Sequence, residues 1–214
     1  SSRFEGTWEN LRIGVLMLGN KADIRYKDWL RKPAEAPATI RARISKEPQG
    51  LVFHPSELDL ATQQLNFSGG VEYQPAPRLH ARFYARNASA SAWSRFLSVP
   101  GLQTTAGKLD LDLTASKTLS AAESNWDLRG VVKLDKAALK HSASGRTFDN
   151  LQAQISLDGT KATIQTGSLR LGKSILFLNG SAADLIKPRL DAVFRSPDLH
   201  LADLPGFSGN PPVR

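Results

Sequence analysis

The chain of 214 residues is 41% hydrophobic and 22% charged, has no cysteine, and carries a formal net charge of +8. This composition is ordinary for a folded domain, and it excludes disulfides, thiolate metal sites and a cysteine nucleophile. No run approaches the roughly 18 apolar residues that predict a membrane-spanning helix. The positive charge is spread along the chain, which fits a solvated surface or weak attraction to anionic headgroups, and we predict no nucleic-acid partner.

Alternating apolar and polar residues, typical of half-buried strands, recur along the first half of the chain. IRARIS (Ile40–Ser45) and PRLHARF (Pro77–Phe83) are two such phrases, and TWENLRIGVLML (Thr7–Leu18) is the opening phrase of the first half. SASAWSRFL (Ser89–Leu97) is the best short helix candidate, and GKLDLDL (Gly107–Leu113) predicts a further strand. Turn signals separate the runs, so antiparallel strands with one solvated face are expected.

The second half of the chain repeats these phrases. PRLDAVF (Pro188–Phe194) shares five of seven letters with PRLHARF, and the displacement from Pro77 to Pro188 defines what we call the repeat offset. At the same offset, LQAQIS (Leu151–Ser156) follows IRARIS, and NWDLRGVVKL (Asn125–Leu134) resembles the opening phrase with one gap. Internal duplication of this length predicts a repeat architecture in which successive units share a sheet or core.

The predicted fold is therefore all-β and mainly antiparallel. A duplicated β unit forms a curved, groove-like sheet with at most one or two short helices. We place the first unit at residues 1–107 and the second at 108–214, and expect one continuous sheet instead of two independent domains. Pro77 and Pro188 begin strands, where a missing N–H does least harm.

One stretch imitates a nucleotide site. GSLRLGKS (Gly167–Ser174) matches the phosphate-loop pattern G-x-x-x-x-G-K-[ST] letter for letter. That chemistry needs a strand before the loop and a helix after it. Here the middle residues alternate as in a strand, and the following ILFLNG predicts another strand. We therefore interpret Gly172-Lys173 as a β-turn and predict no nucleotide binding.

Other candidates for chemistry are isolated. Asp110 and Asp112 share a strand face, but the sequence offers no further partners for a glycosidase or metal role. The four histidines have no metal-ligand spacing, and neither an HExxH nor a GxSxG motif occurs. We accordingly predict a protein that is not an enzyme and that holds no metal or cofactor.

A family resemblance covers most of the chain. The second unit reads WDLRGVVKLDKAAL (126–139), FDNLQAQISLDG (148–159) and GSLRLGKSILFLNGSAADLIKPRLDAVFRSPDLHLADLPG (167–206). The first unit matches the same pattern less closely. This cadence resembles the AsmA-like superfamily of bacterial envelope proteins. It is a resemblance of pattern, without a catalytic signature.

The resemblance implies a periplasmic location within a longer protein that one N-terminal helix anchors in the inner membrane. This chain has no anchor helix, and SSRFEG carries neither an initiator methionine nor a signal peptide, so we expect a fragment or a processed product. In the family, a repeating β-sheet curls into a groove whose apolar inner face shields phospholipid acyl chains on the way to the outer membrane. Phospholipid or another lipid is then the expected partner, with other envelope proteins as further candidates.

The expected groove residues are the apolar members of the alternating strands. They are Ile40, Ala42, Ile44, Leu65, Phe67, Leu79, Ala81, Phe83, Leu109, Leu111, Leu113, Leu151, Ala153, Ile155, Leu176, Leu178, Leu190, Ala192 and Phe194. The alternative hypothesis is that the same residues form a closed, dry core in a scaffold or protein-interaction domain that binds no lipid. Fold analogy alone does not decide between these two functions.

Overall fold

A computed structural model describes residues 1–7, 10–26, 30–73, 76–96, 101–119, 126–183 and 189–203. Within these ranges twelve strands form one large antiparallel sheet, and two short strands form a separate hairpin. The strands are β1 (Ser2–Glu5), β2 (Arg12–Leu18), β3 (Ile24–Tyr26), β4 (Leu30–Lys32), β5 (Ala38–Glu47), β6 (Gly50–Leu60), β7 (Gln63–Glu72), β8 (Arg78–Ser89), β9 (Leu102–Thr118), β10 (Asp127–His141), β11 (Thr147–Gly159), β12 (Lys161–Leu171), β13 (Ser174–Ala183) and β14 (Arg189–Arg195).

The large sheet is an open meander. Each strand pairs with its neighbour in the chain, except that the β3–β4 hairpin is inserted between β2 and β5. The edge strands β1 and β14 each pair with one neighbour and not with each other. Helical structure in the described residues is limited to α1 (Ala90–Trp93) and a 3-10 turn at Leu201–Asp203. The predicted all-β, mainly antiparallel fold class is confirmed.

The sequence repeat is also a repeat of strand register. Phe67 of β7 lies opposite Phe83 of β8, and at the repeat offset Leu178 of β13 lies opposite Phe194 of β14. The strands β5–β8 and β11–β14 are thus paired in the same way, and one sheet runs through both. The expected boundary between residues 107 and 108 falls inside β9, and the division into two units stays a prediction.

Alternation sorts the side chains onto two faces of this sheet. Directly opposed residues in neighbouring strands carry their side chains on the same side. One such row crosses seven strands through Ala85, Leu111, Val132, Ile155, Ile164, Gly180 and Ala192. We call this side the apolar face. The opposite side, the polar face, carries the charged members of the same strands, including Arg41, Arg82 and Asp112.

The best-packed core lies where α1 folds back onto the apolar face. The Ser89 side chain caps α1 by accepting the Ala92 N–H at 3.2 Å. Trp93 and Phe96 meet edge to face, with ring centroids 6.2 Å apart, and are 9% and 2% exposed. They pack on a floor of small residues and one leucine: Ala38, Ala85, Ala88 and Leu60.

The β3–β4 hairpin joins this second layer. The Arg31 N–H donates to the Phe96 carbonyl at 2.9 Å, so the hairpin lies beside the end of α1. Lys32 is buried, and its ammonium donates to the carbonyls of Ala22 at 2.8 Å and Pro33 at 3.2 Å. The hairpin and α1 together cover one part of the apolar face, near β5–β9.

Candidate functional site: an uncovered apolar face

The expected groove residues lie on one face of the sheet. Strand register places eighteen of the nineteen on the apolar face, from Ile40 in β5 to Phe194 in β14. Leu190 pairs with Ala182 in the same register. The face also extends beyond the predicted set. Ile13, Val15 and Met17 of β2 continue it toward the first edge, and Val132 and Leu134 fill it in the middle.

Most of this face is open to solvent. The 23.3 kDa chain exposes 14669 Å², whereas a compact monomer of that mass exposes about 9,700 Å². Phe194 is 59% exposed and Met17 is 55% exposed, and most other members of the face are half-buried. In the described ranges, a second layer is seen only around α1 and the β3–β4 hairpin. The remaining apolar face is a long uncovered surface.

The polar face is organised by ion pairs across strands. Arg82 binds Asp112 through two hydrogen bonds of 2.9 and 2.8 Å, and the hydrogen bond from Arg82 lowers the pKa of the Asp112 carboxyl. Asp110 accepts the Asn87 N–H at 2.6 Å instead of facing a second carboxylate. Asp110 and Asp112 therefore have separate structural partners, and nothing in this geometry resembles a paired-carboxylate site.

The phosphate-loop lookalike has a different local structure. Gly167–Ser174 runs from β12 through the turn at Gly172-Lys173 into β13. The Asp203 carboxylate accepts the N–H groups of Lys173 and Ser174 at 2.8 and 2.9 Å, and it accepts the Ser174 hydroxyl at 2.9 Å. Donors that would hold a phosphate in a true phosphate loop are occupied by the chain's own carboxylate.

The same long-range tie occurs in both halves of the sheet. The Ser174 hydroxyl accepts the His200 N–H at 2.9 Å, and the Gln63 side-chain oxygen accepts the Ser89 N–H at 2.7 Å. Ser174 and His200 stand at the repeat offset from Gln63 and Ser89. The first tie joins the end of β8 to the start of β7, next to the β6–β7 turn. The second joins the segment after β14 to the start of β13, next to the β12–β13 turn. Sequence reasoning missed both ties and the Asp203 contact. The repeat offset was a signal that could have linked the two ties, because it relates Gln63 to Ser174.

Replacing Asp203 by asparagine should weaken its contact with the turn at Lys173 and Ser174, beside the second tie. Its hydrogen bonds from Ser174 and Lys173 lower the pKa of the Asp203 carboxyl, so the stabilisation is present above the unfolded-state pKa and is lost as pH falls through the folded-state pKa. We expect Asp203→Asn to lower the melting temperature at pH 7 and to have little effect in strong acid. Thermal unfolding at both pH values measures this. Asp198→Asn is the control, and an equal effect of the two variants would contradict the assignment.

The histidines remain separate in space. His54 contacts Ser45 at 2.9 Å, His141 contacts Ser144 at 2.9 Å, and His80 lies 3.8 Å from Glu72. Across the described residues, no group of three or more acidic or histidine side chains is placed to hold a metal ion. The helices in the same ranges are also too short to cross a membrane.

Comparison with protein-family models, with curated proteins and with solved structures found no match to this chain.

Proposed function

We propose that this chain is a non-enzymatic periplasmic domain of an AsmA-like envelope protein that binds or conducts phospholipid acyl chains along its apolar face. The observation that carries the proposal is an apolar face that is continuous across the sheet and largely uncovered. An uncovered Leu or Phe forgoes roughly 1.5–3 kcal/mol of burial, so a face of this size favours an apolar occupant.

The dimensions of the face favour a path over a single pocket. Twelve strands at a spacing of about 4.8 Å extend for about 53 Å along the sheet. One leaflet of a bilayer has a hydrocarbon thickness of about 15 Å, half of the usual core. The apolar face is thus several acyl-chain lengths long. Its row of opposed residues begins at Ala85 and Leu111, which pack in or against the α1 cluster. Beyond this cover the row continues through Val132, Ile155 and Ile164 without a charged interruption.

Lipid tails also suit the chemistry of the face. Burial of apolar surface is non-directional, so acyl chains need no hydrogen-bond partners from the sheet. The backbone N–H and C=O groups of the inner strands are already paired within the meander. The face offers contact area without directional groups, and this suits a mobile and chemically uniform occupant.

A protein partner is the second candidate, and one observation favours it. Ile175, Phe177 and Val193 are 43%, 46% and 50% exposed, and their strand register places them together on the polar face of β13 and β14. Exposed apolar patches on an otherwise charged surface often mark protein contacts. This candidate rests on the exposed patch and does not require the sheet to close. Partner binding through this patch would be compatible with lipid on the other face.

The test is lipid extraction and mass spectrometry of the purified protein. We expect phospholipid to co-purify with the native chain, and Phe83→Asp or Phe194→Asp to reduce the retained lipid severalfold because each places a charge on the apolar face. Val193→Asp is the matched control, since Val193 lies beside Phe194 in β14 and on the opposite face. Lipid-free native protein, or equal loss in Val193→Asp and Phe194→Asp, would overturn the proposal.

A further inference from the structure

We propose that the polar face of β2, β5 and β6 carries a binding site for a phosphate-type anion. The site is a groove formed by Arg12, Arg43, Ser45 and His54, which we call the basic groove. It lies on the opposite side of the sheet from the apolar face, so the inference does not rest on the proposed passage of lipid tails.

The strand register places a glycine at the bottom of the groove. Arg43 lies opposite Gly14, and Arg12 lies opposite Ser45 on the same pair of strands. Because Gly14 has no side chain, the space above it is open, and a Cβ built there would meet only the Cβ of Arg3, 4.0 Å away. Two guanidinium groups therefore flank a gap of the kind that a small anion could fill.

A β-bulge brings His54 into the groove. Phe53 lies opposite Gly69 and Ser56 lies opposite Phe67, which leaves one extra residue in β6 at this point. Bulges of this kind re-aim a side chain. His54 Nε2 lies 2.9 Å from the hydroxyl of Ser45, and Ser45 is 9% exposed. The imidazole is thereby positioned by a buried hydroxyl beside the two arginines.

The charges in the groove are not balanced within the described residues. Arg3 is paired with Glu5 at 2.7 Å, and Arg41 is paired with Glu57 and Asp59. Arg12 and Arg43 form no ion pair in the described ranges. Glu47, 3.5 Å from the Ser45 hydroxyl, is an acidic group at the rim. A planar guanidinium presents its donors in a fork that matches phosphate oxygens, and this favours a phosphate over a spherical anion.

In the second half of the sheet, two of these positions carry neutral side chains, so the fold does not require Arg43 or His54. At the repeat offset, Gln154 takes the place of Arg43 and Gln165 takes the place of His54. These two amides hydrogen-bond to each other, while Ser156 takes the place of Ser45. The same sheet geometry is thus built with neutral amides at these two positions, while Lys133 lies opposite Gln154 where Gly14 lies opposite Arg43. The combination of Arg43 and His54 with an open position at Gly14 therefore belongs to the first half alone.

The chain's own repeat supplies the test variant. Arg43→Gln with His54→Gln gives the basic groove the residues of the second half. We expect titration of the whole chain with inorganic phosphate to change the NMR chemical shifts of amides in β2, β5 and β6. The double variant should bind phosphate at least about tenfold more weakly, because it loses a charge-assisted hydrogen bond. Arg12→Gln alone should weaken binding in the same direction. Arg170→Gln, an equal loss of charge on exposed β12, should leave binding unchanged.

Vesicles distinguish the two sources of the phosphate group. Sedimentation with phosphatidylglycerol vesicles that depends on Arg43 and His54, and is absent with phosphatidylcholine, would identify a lipid headgroup as the ligand. Phosphate binding without vesicle binding would identify a free phosphate. No localised phosphate shifts, or equal weakening by Arg170→Gln, would overturn the proposal, because the attraction would then be absent or diffuse. Loss of lipid retention in the apolar-face variants would not affect this result.

Discussion

Replacing Phe96 by alanine is expected to lower the free energy of unfolding by about 3–5 kcal/mol. Phe96 is 2% exposed and packs against Trp93 and the alanine floor of the apolar face. Truncation removes the buried ring and leaves a cavity that the small floor residues cannot fill. Because buried side chains are few in the described sheet, this cluster should contribute a large share of the stability.

Urea denaturation of Phe96→Ala and Phe194→Ala measures this contribution. Both variants remove the same ring, but Phe194 is 59% exposed on β14. We expect Phe194→Ala to change the free energy of unfolding by less than about 1 kcal/mol. Equal losses in the two variants would show that the apolar face is covered by something other than α1 and the hairpin.

Replacing Gly130 by valine is expected to destabilise the middle of the sheet by about 2–5 kcal/mol. Gly130 lies in β10 with a φ of 139°, a backbone conformation that residues with a Cβ rarely adopt. A Cβ at this position would lie 2.0 Å from the Asp112 carbonyl oxygen, which is backbone and cannot rotate away. The variant should separate β9 from β10.

Amide hydrogen exchange across β9 and β10, with thermal unfolding, tests this expectation. Gly19→Ala is the control, because its new Cβ would meet the Cβ of Ala38 at 3.5 Å, an ordinary contact. Faster exchange confined to β9 and β10 in Gly130→Val is the expected result. If Gly130→Val kept native exchange rates, the close approach of the two strands would be wrong.

The faces of the sheet could be predicted because alternation is a local property. Leu109, Leu111 and Leu113 must share a face in any extended strand, and the repeat showed that Phe83 and Phe194 occupy equivalent places. The continuity of the sheet was expected from the internal duplication, because successive repeat units share a sheet. Alternation in addition fixes the register, because a one-residue slip would move the apolar residues to the other face.

Other features depended on distant contacts that a single sequence pattern does not encode. The β3–β4 hairpin has strands of three residues, too short to show alternation. Asp203 accepts hydrogen bonds from two backbone N–H groups in the turn between β12 and β13. The residues around Asp203 in the sequence do not predict this contact. The bulge that aims His54 at Ser45 depends on a register shift that only the paired strands reveal. How much of the apolar face is covered is likewise a property of tertiary packing.

The meander also has a consequence for how the chain folds. Nearly every pairing joins strands that are consecutive in sequence, so each hairpin closes a short loop and needs no distant segment to form first. Such a chain can nucleate at any hairpin and grow by adding strands on either side, as linear repeat proteins do. The exceptions are the long-range contacts of Gln63, Asp203 and Phe96. These contacts form only after their partner strands are in place. Folding should therefore proceed by sequential addition of strands, with these long-range contacts forming last. The partly folded intermediates would expose the same apolar surface that the finished sheet leaves open.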